Sequence, residues 1–159
     1  MRWLGLILAI LLGTTGCRTA PQVADQLIVA RFFIESADDH GVRAVLPVSE
    51  TAIVVSVKPV LTEFDVVRVE VAQVELGRCL LFQLTPAAAR DLHRLSGAHQ
   101  GRRLVLMVDG QALGARRIDA PLAEGDLFIF VETPDEELPA LQRRLATTAL
   151  QLQRAAKRL

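Results

Sequence analysis

The chain has 159 residues, with 18 Lys and Arg against 18 Asp and Glu, so its overall charge does not draw it toward nucleic acid or acidic lipid. Half of it is apolar, yet Tyr is absent and the single Trp is Trp3. Sites that stack bases or sugars rely heavily on such rings, and only six Phe remain, so composition disfavours nucleic-acid and carbohydrate binding, no nucleic-acid partner is expected, and the length suits one domain with a sizeable core.

Met1-Arg2 is a short basic start, and Trp3–Leu12 is an apolar run well short of the roughly 20 residues that span a bilayer as a helix. This is the core of a signal peptide. Thr14-Thr15-Gly16-Cys17 follows and resembles the bacterial lipoprotein cleavage box, in which small residues precede a Cys that receives diacylglycerol. The expectation is a signal peptide over 1–16, lipidation at Cys17, a tether over 17–26 and a single domain over 27–159.

Leu27–Glu35 and Ala52–Val57 are rich in β-forming residues, and Ser36–Gly41 between them has turn character. Val71–Leu76 and Cys79–Leu84 flank Gly77-Arg78, a candidate hairpin. Ala72, Val74 and Leu76 alternate with Gln73 and Glu75, so one face of that strand meets water.

Thr85 can cap a helix, and Pro86 suits its first position because the missing N–H has no intrahelical partner there. Gly97 is expected to end that helix. The apolar run Leu104–Val108 stops at Asp109-Gly110, a pair that tolerates the positive φ of a tight turn, so a strand through Ile118 can fold back. Gly125 then prepares Leu127–Val131. Neither of these two apolar runs alternates, which predicts cover on both faces or an apolar face left for a partner.

Residues 79–131 together resemble the head of the first periplasmic domain of SecD, a subunit of the bacterial preprotein translocase. The likeness lies in the opening Leu84-Thr85-Pro86-Ala87-Ala88-Ala89-Arg90-Asp91-Leu92, in the strand and turn over Gly101–Gly110, in Ile118, and in the approach Ala120–Asp126. It extends upstream over Leu61–Leu76. Where that family usually has Ser-Ala-Pro after the hairpin, this chain has Gly114-Ala115-Arg116, followed by Arg117. The resemblance implies a module that binds unfolded exported polypeptide or an envelope protein. It does not carry over proton-driven translocation, which in SecD depends on membrane helices.

The carboxy-terminal helix has the clearest periodicity. Thr133-Pro134-Asp135-Glu136 has the form of a capping box, while Pro139 would cost an intrahelical bond if the helix already ran through it, so the long helix can begin there. Leu138, Leu141, Leu145, Ala149, Leu152, Ala156 and Leu159 recur at spacings of three and four. This stripe either packs on the sheet or projects as a docking surface, with Leu145, Leu152 and Leu159, together with Arg116 and Arg117, as candidate partner contacts. The cations of this helix are a solvated face or a contact with anionic headgroups.

With Cys17 acylated, Cys79 is left without a disulfide partner and reads as a small buried hydrophobe. His93 and His99 are six residues apart, which is not a one-face metal spacing. Asp91, His93 and Ser96 are neighbours in sequence, but nucleophile and base need convergent geometry that one helix seldom supplies. No catalytic motif, cofactor or metal ion is expected, and Asp109 serves the turn.

The reading is an α+β fold, an antiparallel-rich sheet with helices at about 86–96 and 139–157 mainly on one face. Function is expected to be a noncatalytic cell-envelope lipoprotein facing the periplasm that binds polypeptide or an envelope protein. The alternative is a scaffold lipoprotein that assembles through its carboxy-terminal helix. Arg18 follows the anchor Cys, and since Asp at that place retains lipoproteins at the inner membrane of Gram-negative cells, the outer membrane is favoured.

Overall fold

Asp109 and Gly110 adopt φ of 48° and 84°, the pair of positive values that a two-residue hairpin turn needs. They join β6 (Arg103–Val108) to β7 (Gln111–Arg117) in the register Val108↔Gln111. The structure, a computed structural model, describes residues 27–38, 40–123 and 125–158. The signal peptide, Cys17 and the tether, together with Leu159, lie outside the described residues.

Before this hairpin come β1 (Ala30–Ile34), β2 (Val42–Val45), β3 (Ala52–Val55), β4 (Val66–Val74), β5 (Gly77–Leu84) and α1 (Pro86–Ala98); after it come β8 (Asp126–Ile129) and α2 (Leu138–Ala156). Every strand pair is antiparallel. Three ladders form instead of one sheet: β1–β6–β7, β2–β3 and β4–β5–β8. Single bridges stitch them together at Phe32↔Leu61, Glu35↔Val55 and Gly114↔Val131. Register shifts at Leu106/Met107 and Val66/Arg68 mark bulges, which add twist and turn the strands away from a common plane.

The main core lies between the two three-stranded ladders and both helices. Phe32 of β1 and Phe82 of β5 meet edge to face with centroids 5.0 Å apart, which ties one ladder to the other. Leu104, Leu106, Ile118, Leu127 and Ile129 close around them, with Ala88 and Leu92 of α1 and Leu138, Leu145 and Ala149 of α2. A second cluster forms on the opposite face of β6, where Val105 packs with Ala112 and with Ala44, Leu46, Ile53 and Val55 of the β2–β3 hairpin. Leu104–Val108 does not alternate because both of its faces are covered.

Several local expectations are corrected. The stretch before Ala52 contains β2 as well as a turn. The β4–β5 turn falls on Glu75-Leu76, and Gly77, at φ 122°, already begins β5. Gly97 does not stop α1. Buried Ser96 accepts from the Leu122 N–H (2.8 Å) and donates to the His93 carbonyl (3.0 Å), which holds the last turn in place until His99 ends the helix. Thr85 caps α1 as expected, accepting from the Ala88 N–H at 3.2 Å. Thr133 does not cap α2: residues 134–137 form a separate turn closed by Glu137 N–H to the Pro134 carbonyl (2.9 Å), and Pro139 sits in the first turn of the helix.

Candidate functional site

At one end of the shared core β7 comes close to the chain that follows β8, and the gap beside that contact is the candidate site. At the junction the Glu132 N–H donates to the Leu113 carbonyl at 2.7 Å. A Cβ on Gly114 would stand 2.1 Å from the Phe130 carbonyl oxygen, so only glycine lets the two chains approach this closely. Beyond Gly114, β7 and β8 separate. Arg116 reaches across, its Nη1 donating to the Phe128 carbonyl at 3.2 Å.

Below that contact lies a cleft of about 380 Å³, lined by Arg116, Phe128, Asp126, Asp119 and residues 120–123. β8 pairs with β5 on one side only, so it is the edge of its ladder, and the Arg116 contact shows that the Phe128 carbonyl points into the cleft. Phe128 is half-buried and Phe130 is exposed, so Leu127–Val131 keeps an apolar outer face, in contrast to β6. Cys79 of the adjacent β5 is fully buried, and burial pushes its thiol up from the ordinary value despite the opposing pull of Arg116.

The opposite edge of the same ladder is closed. Gln142 of α2 donates to the Val69 carbonyl of β4 at 2.6 Å, and Gln153 lies 3.3 Å from the carbonyls of Phe64 and Val66. Side-chain amides thus occupy the acceptors that another strand would use. A second hollow, of about 320 Å³, sits on the β1–β6 ladder beside the β2–β3 hairpin, floored by Val29, Phe33 and Met107 and flanked by Arg31 and Asp109. Arg31 is held there by Glu63, whose carboxylate the guanidinium keeps below the usual range.

The predicted residues divide among these places. Asp109 and Gly110 form the turn, and Asp109 also accepts from the Val29 N–H at 2.8 Å while its own N–H donates to the Val29 carbonyl at 2.9 Å. Gly125, at φ 75°, leads into β8 and accepts from the Leu84 N–H at 2.9 Å. Leu145 is buried in the main core and is no part of a partner surface, because α2 lays its apolar stripe on β4. Leu152 is half-buried. Arg116 lines the cleft, while exposed Arg117 pairs with Asp119 at 3.3 Å.

Asp91, His93 and Ser96 do not converge, since Asp91 pairs with Arg94 and Ser96 is bound to backbone. Among the described residues no three His, Cys, Asp or Glu side chains group to hold a metal ion. Phe128 and the acceptor edge of β8 carry no motif of their own in the sequence. The missing alternation in Leu127–Val131 was the one local signal for them.

No protein-family model matches this chain, and no curated protein is similar to it in sequence. Solved structures share its fold. A SecDF chain, described as a membrane component that enhances protein export, superposes with a TM-score of 0.59 at 16% identity over 79% of this chain and 63% of that one. SecDF in a super-membrane-facing form gives 0.59 at 17% identity over 79% of this chain and 19% of the other. SecDF from Thermus thermophilus, a translocon-associated membrane protein, gives 0.55 at 19% identity over 79% and 20%. The chain thus spans less than two thirds of each. The resemblance carried by residues 79–131 holds at the level of fold, and the fold is α+β with two main helices. Among the described residues no helix is long and apolar enough to cross a membrane.

Proposed function

We propose that this chain is a noncatalytic binding module of the bacterial cell envelope, lipid-anchored through Cys17, that takes an extended polypeptide in the cleft between β7 and β8. The observation that carries the reading is the edge position of β8, whose Phe128 carbonyl faces the cleft under the Arg116 side chain. An incoming strand replaces the single guanidinium contact with main-chain hydrogen bonds and lays side chains against Phe128, the chemistry of strand addition. The SecDF structures that share the fold belong to a protein described as enhancing export, which supports an exported polypeptide as the ligand class. The scaffold alternative is the weaker reading, because Leu145, on which it drew, is core.

Binding of this kind is apolar and main-chain driven, so it tolerates many sequences, is weak, with a Kd on the order of micromolar or poorer, and depends little on salt. Titrating a reduced, unfolded exported protein against the full chain tests it. Phe128→Ser is expected to weaken binding about ten-fold, while Phe33→Ser, in the other hollow, leaves it unchanged. Equal affinity for the Phe128 variant and the parent would remove the cleft from the proposal.

A further inference from the structure

Over residues 138–158 the chain carries Arg143, Arg144, Arg154, Lys157 and Arg158 and no Asp or Glu, although the whole protein is neutral. All five cations are exposed, and among the described residues none has a carboxylate partner within ion-pair distance. At 3.6 residues per turn they fall within an arc of roughly 140°, opposite the arc of Leu138, Leu145, Thr148 and Ala149 that is buried in the core. The same outer face holds Leu150, half exposed, beside a shallow hollow of about 490 Å³ lined by Arg143, Arg144 and Thr147.

A second observation places the chain's entry into the fold near this helix, on its core side. The Ile28 N–H donates to the Thr148 hydroxyl of α2 at 3.2 Å, so the 26 residues before Leu27 join the fold beside the middle of this helix. Those residues include the apolar run Trp3–Leu12 and Cys17. The ten residues from Cys17 to Leu27 reach at most about 35 Å when fully extended, and α2 is about 28 Å long. A membrane that holds the amino-terminal segment is therefore within reach of the whole basic face.

We propose that the exposed face of α2 is a docking surface for an anionic phospholipid membrane. Because the apolar stripe of α2 is already spent on β4 and the main core, the helix cannot insert as an amphipathic interfacial helix does. The contact is electrostatic, between guanidinium and ammonium groups and lipid phosphates, with Leu150 as the sizeable apolar point on this face among the described residues. It is therefore screened by salt, unlike the polypeptide contact in the β7–β8 cleft. The face and the cleft use different residues, and either role can stand without the other.

Flotation of the full chain with vesicles of phosphatidylcholine, with or without added phosphatidylglycerol, tests the proposal. The apolar amino-terminal run contributes to both mixtures, so the reading is the ratio between them. That ratio is expected to be about ten-fold or more at about 0.1 M salt and to approach one at about 0.5 M. Replacing all five cations, Arg143→Gln, Arg144→Gln, Arg154→Gln, Lys157→Gln and Arg158→Gln, should abolish it. The smaller pair Arg154→Gln and Lys157→Gln should lower it partway with an unchanged thermal melt, and Arg→Lys at the four arginines should preserve it. A ratio near one for the parent chain, or a ratio that survives the five-fold Gln variant, overturns the proposal and leaves α2 a solvated face.

Discussion

Glu35 and Arg103 are joined three times over: Glu35 Oε2 accepts from Arg103 Nε at 3.0 Å and from the Arg103 backbone N–H at 2.9 Å, while Oε1 accepts from Nη2 at 2.5 Å. The pair closes the end of the β1–β6 ladder, where the Glu35 N–H also donates to the Arg103 carbonyl at 2.8 Å. Beside it the backbone N–H groups of Ser36 and Ser56 donate to the carbonyls of Val54 and Ile34 respectively, which brings in the β2–β3 hairpin. A fork-on-fork contact of this kind, partly shielded from water, is among the stronger polar interactions a domain of this size has.

The Arg103 hydrogen bonds hold the Glu35 carboxyl below its ordinary value, and the Arg31 hydrogen bonds do the same for Glu63. Burial pushes Glu132 up, but the Ser49 side chain together with the Ser49 and Val48 amides outweighs it, so its value is lowered too. A lowered folded value contributes stability that is present above the unfolded Glu value of about 4.3 and is lost as pH falls through the lower folded value. Thermal unfolding should be nearly constant from about pH 7 to about pH 5 and fall steeply below about pH 4. Glu35→Gln should flatten part of the acid limb and cost roughly 1.5–3 kcal/mol at neutral pH. An acid limb unchanged in Glu35→Gln would refute this assignment.

At the β6–β7 turn the demand is conformational, since nothing lies within 4 Å of a Cβ built on Gly110. Gly110→Val should cost roughly 1–3 kcal/mol through φ alone. Asp109→Asn, which tolerates positive φ and keeps an acceptor for the Val29 N–H, should cost less than Asp109→Ala. Denaturant titration of the three variants gives the order, and a cost for Asn equal to that for Ala would show that the Val29 contact contributes nothing.

At Gly114 the demand is steric. Gly114→Ala puts a methyl against the Phe130 carbonyl and must push β7 and the chain after β8 apart, at a cost of roughly 1–3 kcal/mol or more. Hydrogen exchange should accelerate at Glu132, whose N–H bonds to the Leu113 carbonyl, before it does so at Leu106 in the core. Uniform acceleration would mean that the junction opens only with the whole fold.

At the amino terminus, Cys17→Ala should abolish fatty-acid labelling in bacterial cells and release or stall the precursor, because Trp3–Leu12 is too short to span a bilayer by itself. Unchanged labelling would remove the lipid anchor from the proposal.

The features legible in the sequence are those whose cause lies within a few residues. Asp109-Gly110 supplies the two positive φ values, Thr85-Pro86 starts α1, and the three-and-four spacing from Leu138 onward places α2, each by a local conformational preference that no distant residue has to supply. What the tertiary structure decided is which surfaces meet. Val42–Val45 is only four residues long and shows no usable period, and it becomes a strand because Ala44, with Ile53 and Val55 of β3, can cover Val105. Leu145 and Arg143 lie on the same helix, yet one is core and the other exposed because β4 comes to rest against one side. The cleft depends on Gly114 and Phe130 touching and on Arg116 reaching the Phe128 carbonyl, contacts fixed by the packing of both ladders around Phe32 and Phe82. Strand partners are chosen by burial summed over the whole core, and no short window of sequence contains that sum.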